Sequence, residues 1–142
     1  MRNKLYLILL IGLCLFFFTG CTKGEKTKLI EGTDYNIKGV YSGNSVNTSK
    51  RGYYINTLNE PNAPYSYIIC MGQKNTGGYS LKVTEVNKVD EKVEIIVEEK
   101  TPGDNDMVTS AITYPTVVVE FPEYQKNIVI KNTKGETFKK LD

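Results

Sequence analysis

Few side chains in this 142-residue chain could do chemistry. It contains no histidine, which removes Ser/His/Asp and Cys/His nucleophile systems, the commonest general base and mixed Cys/His zinc sites together. Its three cysteines are Cys14, Cys21 and Cys70, too few and too scattered for an all-thiolate metal site. Carboxylates remain, but Glu98 and Glu99 are adjacent on a candidate strand and so point to opposite faces. Asp104-Asn105-Asp106 has the alternating oxygen ligands that open a calcium loop, without the Gly and distal Glu at the offsets such a loop needs. Acidic residues there follow Pro102-Gly103 and are explained by a turn. No glycine-rich loop precedes a helix, so a phosphate cradle is not expected. These observations predict no catalytic residues, no metal, no cofactor and no small-molecule substrate.

Cys21 carries a different kind of information. Arg2 and Lys4 open the chain, residues 5–18 are uncharged, and Phe18-Thr19-Gly20 ends the apolar run just before Cys21. The run falls short of the ~20 residues of a membrane span, and the layout is that of a secretory signal ending in small residues. With its cysteine in place it resembles a bacterial lipoprotein signal, although Phe18 stands where that pattern has Leu. The resemblance implies cleavage between Gly20 and Cys21 and acylation of the Cys21 sulfur by lipid bearing chains such as palmitate. It further implies a protein held on the cell membrane and facing away from the cytoplasm. The alternative is an uncleaved N-terminal anchor.

Cleavage would leave one domain's worth of chain. Arg2 and Lys4 would leave with the signal, so 16 of the 18 Lys and Arg would face 16 Asp and Glu. A near-neutral chain with interleaved Lys and Glu lacks the basic stripe of a nucleic-acid binder. With Cys14 in the signal and Cys21 acylated, Cys70 has no disulfide partner, so an apolar core must stabilise the domain. Within 65–71 Cys70 reads as a small buried hydrophobe, the alternatives being a reactive thiol or an intermolecular link.

The segment 21–51 is dominated by Lys, Glu, Gly, Thr, Asn and Ser. It reads as a polar tether to about residue 38, followed by a loop-rich approach. From residue 52 to 142 the apolar period is two, with high β-branched and aromatic content. Strands are predicted over 52–58 and 65–71, with a loop over 72–77. A hairpin with one buried face follows, in which Tyr79, Leu81 and Val83, then Val93, Ile95 and Val97, alternate with polar residues around a turn at Asp90. Residues 116–121 form a further strand, and a last hairpin pairs 127–131 with 137–141 about Lys134-Gly135. No ten-residue stretch shows a helical stripe. The fold class is all-β, a small antiparallel sandwich or open barrel of about seven strands.

Two short segments stand out. Thr76-Gly77-Gly78-Tyr79 places paired glycines between strands, permitting positive φ and close backbone approach, with an aromatic ring starting the next strand. It is either a structural turn with a core tyrosine or a recognition loop in which Tyr79 supplies rigid contact area. Thr113-Tyr114-Pro115 is either an edge or bulge where proline ends pairing, or a second loop beside the first, adding Thr113, Tyr114 and Pro115 to one contact surface. Residues 68–121, with Met71-Gly72-Gln73-Lys74-Asn75-Thr76-Gly77-Gly78-Tyr79-Ser80, Pro102-Gly103 and Thr113-Tyr114-Pro115 ahead of a valine-rich strand, resemble the C-terminal domain of the PrcB family of protease-complex stability subunits. The resemblance implies a non-catalytic accessory subunit with an exported protease as partner. Thr76-Gly77-Gly78-Tyr79 is also similar to the Thr-Thr-Gly-Tyr loop of chagasin-type cysteine-protease inhibitors, which implies inhibition as the alternative function. The other two inhibitory loops of that family have no counterpart in this sequence.

Overall fold

The computed structural model describes residues 24–41, 43, 46–57 and 62–142. The expected signal over 1–20 and the expected acylation at Cys21 lie outside the described residues. Among the described residues eight strands form two four-stranded sheets: β1 (Lys26–Lys28), β5 (Ser80–Val89), β6 (Lys92–Lys100) and β8 (Ile128–Asn132) in the order β1-β5-β6-β8, and β2 (Asn36–Gly39), β7 (Thr116–Phe121), β4 (Tyr65–Met71) and β3 (Arg51–Thr57) in the order β2-β7-β4-β3. All neighbours are antiparallel except β6 and β8. The sheets face each other as a sandwich, as the all-β reading expected, with one strand more than predicted.

The β5–β6 hairpin turns at Asp90, whose φ of 54° is a left-handed conformation that Asp tolerates. Its alternation breaks once. A bulge at Thr84 shifts the register between Val83 and Glu85, so that Val83 and Val86, three residues apart, both reach the core. The inner layer is completed by Val93, Ile95 and Val97 from β6, Tyr67 and Ile69 from β4, Val117, Val119 and Phe121 from β7, and Ile130 from β8. Tyr67 meets Phe121 edge-on at 5.6 Å, and its buried hydroxyl donates to Gln125 O and accepts from Gln125 N.

Strand β4 has no polar face because the second sheet is covered on both sides. Ile68, Cys70, Val118 and Tyr54 form a second apolar cluster on its outer surface, against which Tyr41, Val46 and Leu141 pack. This explains why 65–71 reads as a near-continuous apolar run. The approach segment is fastened there by Tyr41 N donating to Thr116 Oγ1 and Tyr54 Oη donating to Asn47 O.

Two expectations need correction. The first concerns the tether: residues 26–39 belong to the folded domain. β1 pairs with β5 through 26–28, β2 pairs with β7, and Tyr35 is buried against Phe121 at 6.1 Å. The sparse apolar residues of this polar stretch are its anchors, with Leu29 and Ile37 packing on the core beside Tyr35. Strand β1, Lys-Thr-Lys with every side chain exposed, is held by backbone pairing, which leaves no apolar signature.

The second concerns the last hairpin. Phe138 N donates to Ile130 O, and the chain then leaves β8 for the other sheet, where Tyr53 N donates to Lys139 O and Leu141 N to Tyr53 O. Gly52 permits this crossing: a Cβ at that position would lie 2.6 Å from Lys139 O. The same edge carries a polar clamp between the sheets. Arg51 Nη2 lies 3.0 Å from Glu99 Oε2 and 3.6 Å from Glu136 Oε2. Asn132 Nδ2 donates to both carboxylates, and the guanidinium sits 4.0 Å over the Phe138 ring.

Candidate functional site

The central pair β4 and β7 continues beyond its last strand residues and so positions both segments singled out from the sequence. Met71 N donates to Pro115 O, and Lys74 and Thr113 exchange reciprocal backbone hydrogen bonds of 2.9 Å. Thr113 Oγ1 donates to Thr76 O at 2.8 Å, and Gly77 N donates to Thr109 O at 3.0 Å. Loops 72–79 and 101–115 are thereby joined into one platform at the end of the sandwich where β5 begins and β6 ends.

The two glycines divide the work expected of them. Gly78 holds the positive φ, 85°, and lies against Val108 and Pro102. Gly77 provides the close approach: a Cβ there would sit 2.6 Å from Thr109 Oγ1. Expecting positive φ at Gly77 is therefore corrected to contact with the neighbouring loop. Tyr79 is a rim residue, half-buried, with the Lys74 ammonium 5.4 Å from its ring centroid.

Thr76 and Thr113 are half-buried and committed to the joint between the loops. Tyr114 is exposed, whereas Pro115 is buried with its carbonyl bound to Met71. Pro115 therefore orders the platform from beneath.

Beside Tyr114 the second loop presents Met107, fully exposed, and the exposed side chains of Val108 and Ile112. The turn composition of 102–106 gives these three residues no role of their own. The available signal was apolar residues in a stretch with neither strand alternation nor helical period, which have no core face to occupy. The turn itself is ordinary: Asp106 Oδ2 accepts from Gly103 N at 2.8 Å, the local side-chain-to-backbone bond that Asp favours in turns.

The platform offers aromatic and aliphatic area, the Lys74 ammonium, the exposed carboxylates of Asp104 and Asp106, and a Thr113 hydroxyl already used in its own architecture. These are the groups of contact and burial rather than of covalent chemistry. Among the described residues no group of three or more His, Cys, Asp or Glu is placed to hold a metal ion.

Fold and site together define a β-sandwich that presents a stitched two-loop platform. Residues 66–122 match the family model described as PrcB C-terminal. No curated protein and no solved structure gives a match to the chain. The matched segment bears out the resemblance seen over 68–121 and contains both loops of the platform entire.

Proposed function

We propose that this is an exported, lipid-anchored binding module without catalytic activity that serves as an accessory or stabilising subunit of an extracytoplasmic protease complex. Acylated Cys21 holds it on the cell membrane, and the platform of loops 72–79 and 101–115 makes the contact with the protease. The observation that carries this reading is the coincidence of the PrcB C-terminal match with the platform: the matched residues supply both loops and the strands β4 and β7 that join them. Within the platform Tyr79, Tyr114 and Gly78 are exposed or half-buried, so they provide contact area, while Thr76, Gly77, Thr113 and Pro115 hold the two loops in register.

The test is cross-linking of the membrane-bound protein, identification of the bound partner, and titration of purified variants against it. Removing an aromatic anchor at a contact costs about 2 kcal/mol, so Tyr114→Ala and Tyr79→Ala should each weaken binding about thirtyfold while melting cooperatively near the parent temperature. Folded variants that bind as tightly as the parent would remove the platform from the interface. Stabilisation predicts slower degradation of the partner in the presence of the module. Stoichiometric loss of peptidase activity would instead select inhibition through Thr76-Gly77-Gly78-Tyr79.

A further inference from the structure

We infer that the Asp90–Lys92 end of the sandwich faces the lipid surface and that the two-loop platform is held at the far end, about 30 Å above it. This rests on the proposed acylation of Cys21 and adds a direction to it. Lys26, the first residue of β1, pairs with Val89, the last residue of β5, and Gly24 lies against the Asp90 carboxylate. The chain therefore enters the domain at the β5–β6 turn. From Cys21 to Gly24 are three residues, which span at most about 11 Å even fully extended.

Strand β5 then runs its ten residues from that turn to Ser80, about 30 Å at the rise of a strand, and Gly77-Gly78-Tyr79 immediately precede it. β6 covers the same distance in the other direction, and Thr101-Pro102 leave its far end. A link of ~11 Å is short against a body of ~30 Å, so the turn end stays at the bilayer and the platform is the end free to stand away from it.

Charge does not set this orientation. The turn end exposes Lys88, Lys92 and Lys126 beside Asp90 and Glu91, a near-balanced set that gives weak attraction to anionic headgroups. Lys92, Lys126 and both carboxylates line an open cleft of about 630 Å³ between the turn and the start of β8, a polar surface suited to hydrated headgroups. The partner's contact must accordingly lie well above the membrane surface, on a part of the protease that projects from it.

Energy transfer measures the arrangement directly. Full-length lipidated protein, carrying a donor fluorophore on Glu91→Cys or Lys126→Cys at one end, or on Met107→Cys or Asp104→Cys at the other, is reconstituted into phosphatidylcholine/phosphatidylglycerol vesicles containing an acceptor-labelled lipid. All four positions are exposed, while buried Cys70 remains unlabelled in the native state. The near pair should transfer at least about tenfold faster than the far pair, given ~30 Å of intervening strand, with the order unchanged in high salt. Equal transfer at the two ends means that the domain lies on its side and overturns the orientation, and the reversed order does the same. Failure of the protein to sediment with vesicles overturns the anchor and the orientation together. Loss of partner binding by platform variants is unaffected by either result, which separates this inference from the recognition surface.

Discussion

Burial sets the chemistry of Cys70. The thiol is fully enclosed in the outer cluster with Ile68, Val118 and Tyr54, and loss of solvation pushes its pKa up to about 11. The thiolate is the reactive form, so a polar thiol reagent at neutral pH should modify native protein slowly and unfolded protein rapidly. Equal rates would place the sulfur at the surface. A pKa raised by folding contributes stability that is present below the unfolded value of about 8.5 and is lost as pH rises toward the folded one. Tyr35, Tyr53 and Tyr67 are raised in the same direction, chiefly by burial. Denaturant midpoints should therefore fall above about pH 9, and Cys70→Ala should flatten the earliest part of that fall. An alkaline limb of unchanged shape in the variant would remove the thiol as its source.

At the scale of elements, the N-terminal strands and the polar clamp make separate demands. Tyr35 fastens a segment whose own strand residues are mostly exposed, so Tyr35→Ala should cost about 3 kcal/mol and lower the melting temperature by roughly 10 °C. A variant melting with the parent would show that 26–39 adds nothing to the fold's stability. In the clamp, burial works to raise the Glu99 carboxyl, but hydrogen bonds from Arg51 and Asn132 overcome it and hold the group below the usual carboxylate range. A depressed carboxyl stabilises the fold above its unfolded pKa of about 4.3, and that contribution disappears as pH falls through the folded value. Stability should thus drop below about pH 4. Glu99→Gln should be weaker at neutral pH and lose less on acidification, read by thermal melts across pH 3 to 7. Identical acid limbs in parent and variant would assign the acid sensitivity to other carboxylates.

For the whole molecule, the proposed arrangement has a membrane end and a recognition end joined by the long β5–β6 hairpin. Anchoring by more than one acyl chain exceeds the marginal hold of a single chain, each buried CH₂ contributing about 0.8 kcal/mol. The protein should accordingly remain with membranes in high salt, and Cys21→Ala should abolish incorporation of labelled fatty acid and release the domain to the soluble fraction. Undiminished labelling would move the attachment point elsewhere. Because the platform is built from β4, β7 and their flanking loops, the released domain should retain its partner affinity.

Local chemistry is legible in the amino-acid sequence alone. The absent histidine removes whole classes of catalysis, the alternation in 80–89 and 92–100 specifies a hairpin, and the near-continuous apolar run of 65–71 marks a strand. The glycine pair of 76–79 announces a special backbone, because φ and steric limits act within one residue of their cause. Tertiary structure decides what those segments meet. Backbone bonds between Lys74 and Thr113, or between β1 and β5, leave no mark on side-chain types, since every residue but proline carries the same donor and acceptor. The joining of two loops into a platform and the incorporation of the polar segment 26–39 therefore have no local signature. The second buried face of the β2-β7-β4-β3 sheet does leave a mark, the near-continuous apolar run of 65–71, but the mark does not say what covers it. Which covering segment lies over Cys70 is fixed by how the sheets stack and where the chain crosses between them, and those are properties of the folded whole.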